Sequence, residues 1–180
     1  MQTSTSTTTG PWRIGRPLMP QGYGLGSGPG PMSPAAVVDQ LTAARSYWVC
    51  TTRADGRPHA MPVWGLWLGA PGDVLGGSLA FSTDPTSLKA RNLLRDPRIV
   101  IHLESGDDVV LLEGRVRTLD VSADAELVAS FVAEYDKKYS VKVDPGPEFG
   151  LYALTPDVVL AWQEVDFPNT ATRWVHTAGV

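Results

Sequence analysis

The first stretch whose residues are suited to chemistry is Met61-Pro62-Val63-Trp64-Gly65. Proline inside a strand has no N–H for the ladder, so Pro62 is expected on a sheet edge or at an opening in the sheet. Gly65 lets another group approach the backbone closely. Unpaired main-chain groups beside Met61 and Trp64 could therefore bind the rim of a planar heterocycle. An ordinary edge strand explains the same residues and is favoured when this feature is taken alone.

A second stretch, Ser82-Thr83-Asp84-Pro85-Thr86-Ser87-Leu88-Lys89, leads from a predicted strand into a predicted helix. Amide groups in the first turn of a helix and the helix dipole both favour negative charge. Nearby hydroxyls and the Lys89 ammonium would add to them, which gives the outline of an anion site. Spacing alone favours a helix capped by Asp84 beside a solvated lysine. Asp84 would oppose an anion if it faced the same way.

The other reactive side chains give weaker signals. His59, His102 and His176 are scattered and form no pair at metal-ligand spacing, so no metal site is expected. The lone cysteine, Cys50, lies in an apolar stretch typical of a buried strand and is interpreted as a core residue. No side chain identifies itself as a general acid, so the sequence assigns no catalytic residue.

Composition restricts the class of protein. The chain has 180 residues, of which 43% are hydrophobic and 19% charged, as expected for one globular domain with a sizeable core. Its 15 basic residues form no cluster and are outnumbered by 19 acidic ones, which argues against a nucleic-acid partner. The sequence shows neither a secretory signal nor an apolar stretch of membrane-spanning length, so we expect a cytoplasmic protein with no membrane partner.

The elements that must position these residues are mostly short strands. Ala54-Asp55-Gly56-Arg57 predicts a hairpin turn between the first two of them. Many short strands with brief helices favour an antiparallel β-barrel of six or seven strands over a parallel βαβ sheet. The strands are predicted over residues 47–53, 59–68, 75–82, 98–104, 109–118, 150–162 and 170–176. The helices are predicted over residues 34–45, 85–95 and 122–139, with the last one packed outside the barrel.

The N-terminal part of the chain differs in composition from the rest. Residues 1–10 are rich in Ser and Thr and are predicted to form a disordered tail. Residues 11–34 are rich in Gly and Pro and are predicted to form an arm without regular elements, in which Trp12 hints at some packing. Their glycines do not complete a dinucleotide-binding motif. Residues 35–180 are expected to form the domain.

Several short motifs occur in a recognisable order. They are Tyr47-Trp48-Val49-Cys50-Thr51-Thr52, Asp55-Gly56-Arg57-Pro58-His59, Pro62-Val63-Trp64-Gly65, Phe81-Ser82-Thr83, Ser87-Leu88-Lys89-Ala90-Arg91-Asn92-Leu93, Asp96-Pro97-Arg98, Glu113-Gly114 and Thr170-Ala171-Thr172-Arg173-Trp174. Over roughly residues 35–176 this order resembles the pyridoxamine 5′-phosphate oxidase-like split-barrel superfamily. The resemblance is closer to its actinobacterial flavin/deazaflavin oxidoreductases, a branch that includes enzymes using coenzyme F420.

The resemblance implies a fold, an assembly and a binding site. The fold is mainly β, an antiparallel split β-barrel like that of FMN-binding proteins, and the assembly is a homodimer with the cofactor in a groove between the subunits. The residues implied to lie along the cofactor ring are Met61, Pro62, Val63 and Trp64. The residues implied to hold the cofactor phosphate are Ser82, Thr83, Ser87, Lys89 and Asn92.

Departures from the family pattern bear on the choice of cofactor. Pyridoxamine-phosphate oxidases carry basic residues on the ring strand, where this sequence has Met61 and Leu66, and Leu88 replaces an arginine at the phosphate. Since fewer cations would hold an FMN phosphate less firmly, F420 is the expected cofactor and FMN the alternative. The resemblance thus implies an oxidoreductase that transfers a hydride between F420 or FMN and a small conjugated substrate. A non-catalytic flavin- or haem-binding protein is the alternative function.

Overall fold

The computed structural model describes residues 7–20, 23, 28, 30–70, 73–146 and 149–178. Within these ranges the strands are β1 (Thr7–Thr9), β2 (Trp12–Gly15), β3 (Tyr47–Thr52), β4 (Pro58–Val63), β5 (Gly65–Ala70), β6 (Asp73–Thr83), β7 (Arg98–His102), β8 (Asp108–Thr118), β9 (Gly150–Gln163) and β10 (Thr172–His176). The α-helices are α1 (Pro34–Ala43), α2 (Leu88–Arg95), α3 (Ala125–Tyr139) and α4 (Phe167–Thr170). None of the helices in these ranges is long and apolar enough to cross a membrane.

The strands form one antiparallel sheet that divides at β9. The continuous path of the sheet runs β1-β2-β10-β9-β8-β7-β3-β4. Residues 150–154 of β9 also pair with β6, which in turn pairs with β5, whereas residues 158–161 of β9 pair with β10. Within the described ranges the strands do not close into a ring, and an open sheet of this kind agrees with a split barrel. The predicted mainly β, antiparallel split-barrel fold is therefore confirmed.

Local sequence signals set the ends of several elements. The Ser33 hydroxyl accepts a hydrogen bond from the amide of Ala36 at 3.2 Å, and Pro34 occupies the first position of α1, as predicted. Gly56 has a φ of +82° in the turn between β3 and β4, a conformation that glycine adopts at little cost. Ser140, at a φ of +56°, ends α3.

Two apolar clusters stabilise the sheet from opposite sides. The larger cluster lies on the inner face of the sheet and includes the fully buried Phe81 and Trp174. The second lies on the other side of β5, β6 and β9, where Phe131 of α3 belongs to the same cluster as Leu66 and Ala153. Burying one large apolar side chain contributes about 1.5–3 kcal/mol. This apolar contact holds α3 outside the sheet.

The N-terminal strands correct the prediction for residues 1–34. Trp12 is only 3% exposed, and its indole N–H donates to the Asp73 carboxylate at 3.0 Å. Its strand β2 pairs with β10, and β1 pairs with β2. The predictions of a disordered tail through residue 10 and an arm without regular elements are thus wrong for residues 7–9 and 12–15. Pairing of β2 with β10 orders these residues, whereas their local sequence alone does not favour a regular element. The domain boundaries themselves stay a prediction.

Other element boundaries also differ from the sequence-based expectation. The strand predicted over residues 59–68 is two strands, β4 and β5, separated at Trp64. The helix predicted from residue 85 begins at Leu88, because Ser87 and not Asp84 caps it. With these changes the seven predicted strands become eight, and β1 and β2 complete the ten of the described ranges.

Candidate functional site

Strand β4 is at one end of the sheet, so one of its edges is free of a neighbouring strand in the described part of the chain. Its register places Met61 opposite Val49 and Val63 opposite Tyr47, on the inner face. Val63 is buried at 8% exposure, whereas Met61 is 45% exposed. Pro62 is exposed on this edge strand, where its missing N–H breaks no ladder. The edge location predicted from Pro62 agrees with the structure.

The end of this strand is fixed by Gly65. A Cβ at this position would lie 2.8 Å from the carbonyl oxygen of Ala80, so only glycine fits between the strands. The amide of Gly65 donates to the Tyr139 hydroxyl at 3.0 Å, and that hydroxyl donates to the Gly65 carbonyl at 2.7 Å. The groups that closely approach the Gly65 backbone are therefore Ala80 and Tyr139 of the protein itself and not a ligand. The free main-chain edge lies before Gly65, beside Met61, and Trp64 next to it is 40% exposed.

The predicted phosphate residues meet where β6 leads into α2. Ser82 and Thr83 are half-buried at the end of β6. The Thr83 and Ser87 hydroxyls are 3.3 Å apart, and Ser87 Oγ accepts from the amide of Ala90 at 3.3 Å. Lys89 is half-buried in the first turn of α2, where helical amides lack intrahelical acceptors. The structure therefore brings two hydroxyls and one ammonium group to one helix end.

Asn92 has a different environment from the other predicted phosphate residues. Its side chain is 2% exposed, and its Nδ2 donates to Thr51 Oγ1 of β3 at 2.9 Å. Thr51 Oγ1 in turn lies 3.4 Å from Nδ1 of His59 on β4. This chain of polar contacts connects α2, β3 and β4. Asn92 thus orients the helix end, and direct contact between Asn92 and a ligand stays a prediction.

Two basic side chains that the sequence interpretation did not select lie beside Lys89. Burial, followed by the positive charges of Arg53 and Lys89, lowers the pKa of His59 below its usual range. The Nε of Arg53 is buried and has no hydrogen-bond acceptor among the described residues. Arg53, the residue after β3, continues the inward alternation of Val49 and Thr51, and this alternation is the sequence signal that could have identified it.

One acidic side chain is close to this basic group. The Asp84 carboxylate accepts hydrogen bonds from the amide and the hydroxyl of Thr86, both at 2.7 Å. These bonds, and more weakly the charge of Lys89, lower the pKa of Asp84. Asp84 is therefore an ionised, exposed residue whose carboxylate accepts hydrogen bonds from its own turn.

The free edge of β4 connects the basic group to the exposed aromatic residue. His59 is near the start of β4 and Trp64 follows its end. At about 3.4 Å per residue this separation is roughly 17 Å. An elongated ligand with an anionic group at one end and a planar ring at the other could lie along the edge.

The outer face of the sheet carries a separate groove. It has a volume of about 730 Å³ and is lined by residues that include Cys50 and Val100. Burial raises the pKa of the Cys50 thiol, which is half-buried and not in the core as predicted. Charged residues of both signs line the groove: Asp96, Arg98, Glu113, Arg115 and Asp157.

Comparisons with known proteins agree with this architecture. A sequence model described as pyridoxamine 5′-phosphate oxidase matches residues 33–163. None of the curated proteins matches the chain.

Solved structures of the same fold share little sequence with this chain. A conserved hypothetical protein from Mycobacterium tuberculosis has a TM-score of 0.59 at 22% identity, over 74% of this chain and 86% of the other. An FMN-binding protein related to pyridoxamine 5′-phosphate oxidase, from Nostoc punctiforme, has a TM-score of 0.54 at 17% identity, over 75% and 82%. A haem-binding protein from Mycobacterium smegmatis has a TM-score of 0.53 at 19% identity, over 77% and 61%.

Proposed function

The chain belongs to the pyridoxamine 5′-phosphate oxidase family, and we propose that it is an oxidoreductase that transfers a hydride between coenzyme F420, or FMN, and a small conjugated substrate. One observation carries the proposal. Arg53 and Lys89 both lie near enough to His59 for their positive charges to act on it, at the start of the free-edged strand β4, and Lys89 is in the first turn of α2. A basic pocket next to an open strand edge suits a cofactor with a phosphate at one end and a flat ring at the other.

The proposed phosphate site consists of the predicted residues and the two added cations. Ser82, Thr83, Ser87 and Lys89 supply hydroxyls and an ammonium group, and Asn92 holds α2 in position through Thr51. The buried Nε of Arg53 supports this assignment, because a buried donor without an acceptor costs about 1–3 kcal/mol. A phosphate oxygen would satisfy that donor. The ring is proposed to lie along Met61, Pro62, Val63 and Trp64.

The charge of the pocket favours F420 over FMN. The lowered pKa of His59 keeps its imidazole neutral near pH 7, so Arg53 and Lys89 contribute two positive charges. Asp84 contributes one negative charge, which leaves a net charge of about +1. This charge can pair with the one negative charge of the F420 phosphodiester, but it leaves part of the nearly twofold negative charge of the FMN phosphomonoester unpaired, which is costly in a site that excludes water. FMN is the second cofactor to test, and the FMN-binding protein of the same fold is a further reason to include it.

The contribution of this chain to the reaction is binding and orientation. When bound, either cofactor supplies the hydride from its central ring. The main chain of β4 beside Met61 offers hydrogen bonds to the polar edge of that ring, and the helix end with Lys89 holds the phosphate. Fixing the cofactor at both ends restricts the orientation of its reactive face, which lowers the entropic part of the barrier. We assign no general acid, and solvent can supply the proton.

A second subunit is proposed to close the site from the outer face. Side chains that alternate with buried residues form an apolar patch on this face: Trp48, Val100, Leu111, Val158 and Leu160. Charged residues of both signs surround the patch in the adjoining groove. A two-fold interface needs a surface that complements itself, and a patch with both signs of charge meets this requirement. A homodimer would also shield the cofactor from bulk water.

The dimer is tested by placing a charge in the patch. Leu160→Glu should convert a species of twice the chain mass into a monomer in sedimentation, because an unpaired carboxylate in an apolar interface is strongly unfavourable. Val121→Glu, at a residue 50% exposed in the loop before α3, is the matched control. A wild-type monomer at micromolar concentration would contradict the composite site.

The function is tested with purified protein and both cofactors. Absorption titrations with F420 and FMN should show saturable binding. Reduced cofactor should then be reoxidised by a panel of conjugated acceptors faster with protein than without. Tight binding with no acceleration for any acceptor would favour a cofactor-storing protein over an enzyme.

His102 supports a second candidate function, non-catalytic haem binding. Its Nδ1 lies 2.7 Å from the Leu103 carbonyl oxygen, which must accept, so the tautomer of the neutral ring that makes this bond has its proton on Nδ1 and a lone pair on Nε2. The ring is nearly parallel to Trp48, at 6.3 Å between centroids. An unprotonated imidazole nitrogen beside an aromatic wall can ligate haem iron. Haem binding that is lost in His102→Ala, without turnover of F420 or FMN, would favour this candidate.

A further inference from the structure

Trp64, the residue after β4, belongs to an aromatic cluster whose arrangement the proposed contact with the cofactor ring does not explain. The Trp64 indole stacks on the Tyr139 ring, with centroids 4.8 Å apart and planes 3° apart. The Arg45 guanidinium carbon lies 5.1 Å from the Trp64 centroid and 5.5 Å from the Tyr139 centroid. Tyr135 lies 4.6 Å from Tyr139 and 6.5 Å from Trp64.

These distances leave one face of the indole uncovered by its three neighbours. A group stacked on the indole face opposite Tyr139 would be about 7 Å or more from the Tyr139 centroid, since stacked planes are about 3.5 Å apart on each side. Arg45 and Tyr135 are both closer to Tyr139 than this. They therefore lie beside Tyr139 or at the indole edge. The 40% exposure of Trp64 agrees with one open face.

The support under the indole is held in place by hydrogen bonds. The Tyr139 hydroxyl lies 2.7 Å from the Gly65 carbonyl oxygen and 2.8 Å from that of Arg45. Lys138, next to Tyr139 on α3, donates to the Thr42 carbonyl at 3.1 Å. The open indole face is thus presented by a fixed platform, which reduces the entropy that a stacking ligand must lose.

Arg45 gives this platform a charge preference. It is exposed and forms no ion pair with any carboxylate in the described ranges. A guanidinium at the edge of an indole repels a second cation and attracts an anion. The neighbouring basic side chain, Lys138, has the same sign, and burial lowers its pKa. A flat ligand on the open face is therefore expected to be anionic.

We propose that Trp64 and Arg45 form the substrate subsite, and that the substrate is a planar conjugated carboxylate. The conjugated ring stacks on the open face of Trp64, and its carboxylate binds the Arg45 guanidinium at the edge of the indole. This inference rests on the proposed function, in which the cofactor ring lies along the main chain of residues 61–64. The strand edge holds the ring there, and the open face of the Trp64 side chain is left for the substrate. A substrate on Trp64 would then lie next to that ring.

The subsite is tested with three small probes of matched size. They are 2-naphthoate, 2-naphthylmethylammonium and decahydro-2-naphthoate, with affinity measured by equilibrium dialysis. Wild-type protein should bind naphthoate about tenfold more tightly than either of the others, the difference expected from one charge-assisted hydrogen bond or one stacking contact. Arg45→Gln should abolish the preference for naphthoate over its ammonium analogue and keep the preference for a flat ring.

Variants of Trp64 test the stacking contact separately. Trp64→Leu should weaken naphthoate about tenfold, whereas Trp64→Phe keeps a flat face and should retain most of the affinity. Arg91→Gln, at an exposed arginine of α2, is the control for Arg45→Gln. Equal affinity of wild type for both naphthyl probes, or naphthoate binding that is unchanged in Arg45→Gln, would overturn the proposal.

The outcome can be separated from that of the proposed function. F420 and FMN titrations of Arg45→Gln report on the cofactor site alone, because Arg45 is not part of that site. If Arg45→Gln binds cofactor normally but naphthoate affinity does not depend on residue 45, the subsite fails and the cofactor site stands. If wild type binds naphthoate with the predicted charge preference but binds neither cofactor, the proposed function fails.

Discussion

Replacing Lys89 by alanine is the perturbation that the proposed phosphate site predicts most sharply. Lys89 is the second residue of α2, after the Ser87 cap, and is half-buried. Its loss removes one positive charge from the pocket. The cap itself is unaffected, because Ser87 Oγ bonds the amide of Ala90.

The magnitude follows from the surroundings of the ammonium group. Two unit charges 4 Å apart attract by about 4 kcal/mol at an effective dielectric constant near 20. Partial exposure of Lys89 and the nearby Asp84 carboxylate reduce this value. A loss of about 1.5–3 kcal/mol is expected, as for other charge-assisted hydrogen bonds. This corresponds to a roughly ten- to hundredfold weaker affinity for a phosphorylated cofactor.

The assay is a cofactor titration of wild type, Lys89→Ala and a matched control. Arg91→Ala is the control, since Arg91 is an exposed basic residue of the same helix. It should bind F420 and FMN with near wild-type affinity, and both variants should unfold within about 0.5 kcal/mol of wild type. Equal affinity of wild type and Lys89→Ala for both cofactors would refute the assignment of the phosphate to α2.

Three further predictions concern the elements around the site. Asn92→Ala should lower the free energy of unfolding by about 1–3 kcal/mol in urea denaturation, because it leaves Thr51 Oγ1 without its buried donor; an unchanged midpoint would contradict the role of Asn92 in holding α2. Trp12→Ala should cost about 3–5 kcal/mol, since it empties a core position and removes the bond to Asp73, and a loss under 1 kcal/mol would show that β2 is dispensable. Because the pKa of His59 is lower in the folded protein than in the unfolded chain, the unfolded chain binds this proton at a higher pH. Protonation of His59 therefore lowers the free energy of unfolding as the pH falls from about 6.5 toward the pKa of the folded protein. The melting temperature of His59→Gln should therefore fall less between pH 7 and pH 5.5 than that of wild type, and identical pH profiles would contradict the position of His59 beside Arg53 and Lys89.

Local sequence signals predicted much of the fold because they act over a few residues. Pro62 placed β4 at an edge, and Gly56 placed the hairpin turn that precedes it. Ser33 and Pro34 marked the start of α1. Each of these residues determines backbone geometry through its own covalent structure or through a hydrogen bond three residues away.

The features that the sequence did not predict depend on contacts between distant residues. Order in Trp12–Gly15 comes from pairing with β10, about 160 residues later in the chain. The break at Trp64 comes from Gly65, which is held by Tyr139 of α3. No local pattern contains these partners.

The basic pocket also depends on contacts between distant residues, which a local sequence pattern does not contain. Lys89 was predicted because it follows a helix start, a local signal. Arg53 follows β3 and His59 is in β4, and both come near Lys89 only through the β3–β4 register and the packing of α2 on β3. The Asn92–Thr51 bond that aligns these elements joins residues 41 apart in the sequence.

The central claim is that the pocket at α2 and the edge of β4 together bind one flat phosphorylated redox cofactor. The most direct test is an equilibrium titration of wild-type protein with F420 and with FMN at physiological ionic strength, followed by absorption. The account predicts saturable binding of one cofactor per chain, tighter for F420, and much weaker binding of riboflavin, which has the ring of FMN without its phosphate. Absence of saturable binding for both F420 and FMN, or equal affinity for FMN and riboflavin, would contradict it.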